Sequence, residues 1–125
     1  MNGRTSATLA KSGALVVFGG AAWTPETRRA NENCRGWFAQ RSPEVSPVYW
    51  FPEEIVPFCP VLAKQWMHQQ GLWRSRPLSL LGFSAGCIAM RAIAGELGPD
   101  YVQAIAAVDG WCVPFHGIES PVYRL

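Results

Sequence analysis

A serine between two glycines is the feature of this sequence best suited to chemistry. Gly82, Ser84 and Gly86 form the pattern G-x-S-x-G, after a mostly apolar run at 78–81 and before small residues with helical spacing. In such a strand, turn and helix the serine stands at the tip of a strained turn, and glycines avoid collisions with neighbouring backbone. The free N–H groups at the helix start, that of Ala85 included, can stabilise an oxyanion. The pattern predicts a nucleophilic serine; a plain strand-to-helix turn that contains a serine by chance is the alternative.

A serine nucleophile needs a base to take its proton and an acid to orient that base. Asp109 follows a predicted strand beyond the serine, where an acid could be presented, and His116 comes after it. The alternatives are a turn aspartate in Asp109-Gly110 and a solvent-exposed loop histidine. The other histidine, His68, precedes Ser84 in the last turn of a predicted helix and is interpreted as a surface residue.

The elements that must position these residues alternate between strands and helices. Strands are predicted at 14–18, 48–51, 78–82 and 101–108, and helices at 25 to about 34, at 60–70 and from the serine turn to 97. Gly36 marks the end of the first helix, and 35–46 is expected to be irregular. The alternation predicts an α/β fold, a three-layer sandwich with a mostly parallel sheet covered by helices on both sides. Right-handed crossovers would bring Gly19, Ser84 and Asp109 to one edge of the sheet.

Over residues 78–97 the chain resembles the α/β-hydrolase superfamily of serine esterases, lipases and thioesterases, and the resemblance extends less specifically over 14–113. It implies a partial α/β-hydrolase fold with Ser84 as nucleophile, and the order Ser84, Asp109, His116 is the family's order of nucleophile, acid and histidine. The family's histidine normally lies beyond one or two further strands, which do not follow here. We therefore expect a flexible N-terminus at 1–12 and a single domain at 13–125 whose C-terminal strands are missing.

The resemblance also implies a second oxyanion donor, from the loop after an early strand. Here that loop is Gly19-Gly20-Ala21-Ala22, and the N–H of Gly20 or Ala21 is the candidate. A glycine turn at the end of a strand is the alternative. A nucleotide-binding domain of flavodoxin-like or other type is a third interpretation, with the glycines as a phosphate loop. The loop lacks basic and hydroxyl residues, and neither G-x-G-x-x-G nor a Walker lysine follows.

The composition argues against several classes of function. The net charge of +2, from 11 basic and 9 acidic residues, is too small and scattered to indicate nucleic-acid binding. The four cysteines are widely spaced with no C-x-x-C pair, so no metal is expected, and the proposed chemistry needs no cofactor. Buried thiols, and the lack of a signal peptide or a membrane-length apolar run, favour a cytoplasmic protein.

The leading functional prediction is a serine hydrolase that acts on a small acyl ester or thioester through an acyl-enzyme on Ser84. The alternative is a catalytically incomplete α/β-hydrolase relative that binds a partner or ligand in the same crevice, because the histidine is poorly placed. In that case, aromatic side chains uncovered by missing strands would favour association with a second copy of the chain.

Overall fold

The computed structural model describes residues 12–41 and 47–109. Strands and helices alternate along the chain: β1 Ala14–Phe18, α1 Pro25–Arg41, β2 Val48–Trp50, α2 Pro60–Gln69, β3 Leu78–Phe83, α3 Gly86–Leu97 and β4 Val102–Val108. The predicted α/β class is confirmed. Of the predicted flexible N-terminus at 1–12, only Ser12 is among the described residues. The part of the predicted domain that follows Asp109 lies outside them.

The four strands form one parallel sheet in the order β2-β1-β3-β4. Val16 pairs with Tyr49 of β2 on one side and with Leu80 of β3 on the other. The chain thus runs outward from β1 to β2 and then crosses back to the opposite side of β1. Such a reversal separates the loops that leave β1 and β3, and it opens a crevice at the carboxyl ends of these two strands.

The core lies between one face of the sheet and the helices α2 and α3. Alternate side chains of β1 and β3 point to this face, as the period of two in a strand requires. They pack against helix side chains in one buried cluster that includes Ala14, Val16, Phe18, Leu78, Leu80, Ala63, Met67, Cys87, Ala89, Met90 and Ile93. Each large apolar side chain that is fully buried contributes about 1.5–3 kcal/mol. This packing makes the sheet and the two helices a firm support for the loops at its edge.

Local signals set most of the helix ends where the sequence predicts them. The Thr24 hydroxyl accepts a hydrogen bond from the Thr27 N–H (3.1 Å) and so caps the start of α1. Gly71, with φ 69°, follows the end of α2, and Gly98, with φ 75°, ends α3. Both glycines adopt the left-handed backbone that suits a residue after a helix.

The predicted end of the first helix is wrong. The helix α1 continues through Cys34 and Gly36 to Arg41. One glycine inside a helix costs only about 1 kcal/mol relative to alanine, which is too little to end it. The last turns have their own contacts: the Arg41 guanidinium carbon lies 4.1 Å from the centroid of the Trp37 ring, and its Nη1 donates to the Trp37 carbonyl at 3.3 Å. Residues 35–41 are therefore helical.

Within the described ranges, no helix combines the length and the apolar character needed to cross a membrane.

Candidate functional site

Ser84 occupies the turn between the last residue of β3 and the first residue of α3. Its φ is 51°, in the left-handed region that costs a residue other than glycine of order 1–3 kcal/mol. Two hydrogen bonds hold this conformation: the Ser84 N–H donates to the Val108 carbonyl (2.9 Å), and the Ser84 carbonyl accepts from the Cys87 N–H (3.1 Å). The side chain is half-buried, and its hydroxyl forms no hydrogen bond with another described residue.

The two glycines that flank the serine are required by close backbone approach. A Cβ on Gly82 would lie 3.0 Å from both Cα and Sγ of Cys87. A Cβ on Gly86 would lie 2.7 Å from the carbonyl carbon of Phe18 and closer still to the carbonyl oxygens of Phe18 and Gly19. Backbone atoms in a buried strand cannot move away as a flexible side chain can. The absence of a side chain at Gly86 thus lets the start of α3 rest directly on the carboxyl end of β1.

The glycine loop after β1 lies beside the serine. A Cβ on Gly20 would be 3.5 Å from the Cβ of Ser84, which is ordinary van der Waals contact. The loop is held on both sides: the Asn31 side chain donates from Nδ2 to the Gly20 carbonyl (2.8 Å), and the Ala22 N–H donates to the Glu54 carbonyl (2.7 Å). The loop that contacts Ser84 is therefore held in place by hydrogen bonds to α1 and to Glu54.

Asn31 is a residue that the sequence analysis missed. It is buried in α1, a helix whose other residues are largely exposed. Most residues around it in the sequence, Arg28, Arg29, Glu32 and Asn33, are polar too. An asparagine in mid-helix therefore carries no local signal that separates a buried residue from a solvated one. Asn31 is recognised as a residue of the site only from the folded structure, in which α1 lies against the glycine loop.

Three backbone N–H groups near the serine have no hydrogen-bond acceptor among the described residues. They belong to Gly20, Ala21 and Ala85. Ala85 is buried and directly precedes α3, where the helix dipole adds partial positive charge. The turn and the loop thus place the Ser84 hydroxyl beside several N–H donors that have no acceptor among the described residues. Such donors can stabilise a carbonyl oxygen as it becomes negative.

Asp109 stands next to the serine turn. It follows β4, whose Val108 pairs with Phe83 and accepts the Ser84 N–H, so the two residues leave neighbouring strands at the same edge. Asp109 is exposed and has φ 50°. His116 lies outside the described residues, and its role as base stays a prediction, as do the roles of Ser84 and Asp109.

His68 lies away from this edge. It occupies the last turn of α2, exposed, with its ring stacked on Trp73 at 5.2 Å between centroids. Because α2 connects two parallel strands, it returns from the carboxyl to the amino end of the sheet, and its last turn lies opposite Ser84. The interpretation of His68 as a surface residue is confirmed.

A cleft of about 440 Å³ opens beside the glycine loop, lined by Arg35, Trp50, Pro52 and Glu54. The Arg35 Nη2 is 2.6 Å from Glu54 Oε1, and the Arg35 guanidinium lies over the Trp50 ring at 5.2 Å. The same indole lies 2.7 Å from where a Cβ on Gly19 would be, so that Trp50 joins the cleft to the loop. The cleft offers an aromatic surface and an ion pair to a bound molecule.

In the described part of the chain, no three His, Cys, Asp or Glu side chains come close enough together to hold a metal ion. Cys34, Cys59 and Cys87 form no disulfide there, and Cys112 lies outside it.

Comparison of the chain with models of protein families, with curated proteins and with solved structures found no match.

Proposed function

We propose that this protein is a serine hydrolase of the α/β-hydrolase type that cleaves an ester or thioester through an acyl-enzyme on Ser84. The observation that carries the proposal is the backbone of Ser84, held at φ 51° between a parallel strand and a helix. A strained residue other than glycine persists only where its surroundings hold it, and such residues cluster at active sites. The close approach at Gly86 and the bonds to Val108 and Cys87 hold this one.

In the proposed reaction, Ser84 Oγ bonds to the acyl carbon while its proton passes to a base, for which His116 is the candidate. Asp109 orients that base. The carbonyl oxygen becomes an oxyanion that accepts hydrogen bonds from Ala85 and from Gly20 or Ala21. The alcohol or thiol then leaves with the proton. Water repeats the sequence on the acyl-enzyme, releases the carboxylic acid and restores the serine.

The topology supports the proposed site. Ligands of open parallel sheets bind at the carboxyl edge where the strand order reverses, and Ser84 and the glycine loop flank the reversal between β1 and β3. Right-handed crossovers would put α1 on the face opposite α2 and α3, which is the three-layer arrangement that the alternation of strands and helices predicts. A substrate in this crevice would meet the serine, the unpaired N–H groups and the cleft at Trp50.

Labelling with a fluorophosphonate tests the proposal, because these reagents phosphonylate an activated serine far faster than an ordinary one. Intact-protein mass spectrometry of the full chain should show one adduct, and peptide mapping should place it on Ser84. Ser84→Ala should abolish the adduct. Ser79→Ala, the same change within the preceding strand β3, should leave it unchanged. A folded protein that gains no adduct would contradict the proposed hydrolase.

One observation favours a second candidate function. The Ser84 hydroxyl has no hydrogen-bond partner among the described residues, and the described histidine lies at the opposite edge of the sheet. If no base activates the serine, the protein would bind a small acyl ligand or a partner in the same crevice without turnover. Binding of an acyl ester that stays intact, together with the absence of a fluorophosphonate adduct, would support this second function.

A further inference from the structure

Asn31 is the only buried polar residue in the described part of the chain, at 8% exposure. An unsatisfied polar group at such a site costs about 1–3 kcal/mol, so a buried asparagine must be hydrogen-bonded. Its amide donates to the Gly20 carbonyl at 2.8 Å, beside the proposed catalytic serine. The hydrogen bond pairs the buried amide and holds the Gly20 carbonyl in a defined direction.

The hydrogen bond determines which way one peptide group faces. The described peptide bonds are all trans, and in a planar trans peptide the carbonyl and the following N–H point in opposite directions. Because the Gly20 carbonyl is directed at α1, the N–H of Ala21 is directed away from α1. The helix α1 contacts β2 on one side of β1, whereas the Ser84 turn follows β3 on the other side. We infer that the Ala21 N–H, which is directed away from α1, faces the β3 side of β1, where the serine turn lies.

The N–H groups of Gly20 and Ala22, on either side of Ala21, are not available to an oxyanion at the serine. The Gly19 carbonyl oxygen lies against Gly86 at the start of α3, so the N–H of Gly20, in the same peptide group, points away from the serine turn. The Ala22 N–H is already bonded to the Glu54 carbonyl. The loop is left with a single suitable donor, Ala21.

We propose that Asn31 is a positioning residue that fixes the Gly20–Ala21 peptide so that the Ala21 N–H is the second oxyanion donor. The inference rests on the proposed function and deepens it, since the resemblance alone leaves Gly20 and Ala21 open. A donor that is already oriented needs no reorganisation when negative charge develops on the acyl oxygen. Asn31 then acts on the chemical step and not on the binding of the reagent.

The kinetics of fluorophosphonate labelling test this role. Asn31→Asp keeps the shape of the side chain but replaces the donor with an acceptor that repels the Gly20 carbonyl. The maximal labelling rate constant, kinact, should fall about 10- to 100-fold, while the half-saturating reagent concentration, KI, stays within about twofold. Asn33→Asp is the matched control, with the same charge change at an exposed position of the same helix, and should behave as wild type.

A second variant guards against a loss of folding. Asn31→Ser keeps a small polar group without adding charge, and each variant is assayed well below its own melting temperature. A fall in kinact for both variants with KI unchanged supports the role. Equal kinact values for wild type and both variants would overturn it. Absence of labelling in the wild type is a different result, since it contradicts the proposed function itself.

Nuclear magnetic resonance of the labelled protein identifies the donor directly. When the phosphonyl oxygen accepts hydrogen bonds, the amide protons of Ala21 and Ala85 should shift downfield, and those of Gly20 and Ala22 should stay nearly unchanged. A downfield shift at Gly20 in place of Ala21 would contradict the inference even if Ser84 is labelled.

Discussion

The Gly86 α-carbon packs directly against the carbonyl group of Phe18, so closely that a Cβ on Gly86 would lie 2.7 Å from the Phe18 carbonyl carbon. The contact joins the first turn of α3 to the end of β1, and it sets the height of the Ser84 turn above the sheet. The second glycine of the pattern G-x-S-x-G, Gly86, is thus required by the packing of α3 on β1 as well as by the geometry of the turn.

Gly86→Ala should destabilise the protein by about 3 kcal/mol or more, because the new methyl group meets backbone that cannot retreat. Urea unfolding measures the change. Gly95→Ala is the matched control in the same helix, since no atom lies within 4 Å of its added Cβ. Because that free space is the space outside the helix's own backbone, the change should stabilise the protein by about 0.5–1 kcal/mol through helix propensity. Similar effects at the two positions would contradict the packing argument.

Ser84→Gly should be more stable than Ser84→Ala by about 1 kcal/mol, because glycine adopts a φ of 51° without a steric penalty whereas alanine retains the Cβ. Both variants lack the hydroxyl, so the comparison isolates the backbone strain from the loss of the nucleophile. Thermal or urea denaturation of the two proteins provides the measurement. If the alanine variant is the more stable one, the serine turn is not strained.

Asp109→Asn should reduce the rate of fluorophosphonate labelling about 10²- to 10⁴-fold if Asp109 orients the base, as loss of the acid does in other triads. Asparagine tolerates the left-handed backbone found at this position, so the fold should be retained. Asp100→Asn, at the amino end of β4, is the control and should label at the wild-type rate. If the Asp109 variant labels at the wild-type rate, Asp109 is a turn residue and does not orient the base.

Arg35→Ala should raise the KM for esters with a large or aromatic group and leave small esters unaffected, because it removes one wall of the cleft at Trp50. The cost in stability should stay below about 1 kcal/mol, since the ion pair with Glu54 is partly exposed. Arg29→Ala, on the exposed surface of the same helix, is the control. Equal changes in KM for small and large esters would show that the cleft is not part of the substrate site.

Much of this fold is predictable because its signals are local. The apolar run of β1, the glycines around Ser84 and the glycine that ends α3 each specify backbone within a few residues of themselves. The parallel sheet follows from the alternation of such elements. The end of α1 is not predictable from Gly36, because one glycine costs a helix only about 1 kcal/mol. The contacts of Arg41 with Trp37 help to stabilise the turns that follow.

The element types, the serine turn and the glycine loop can be predicted from local residues, because hydrophobic period and turn residues act over short distances. The strand order, the burial of Asn31 and the contact of Gly86 with Phe18 become visible only once the chain is folded. These depend on which elements meet in space, and residues far apart in the chain carry no local mark of that meeting. The assignment of Ala21 as donor belongs to the second group, because it follows from contacts that α1 and α3 make with one loop.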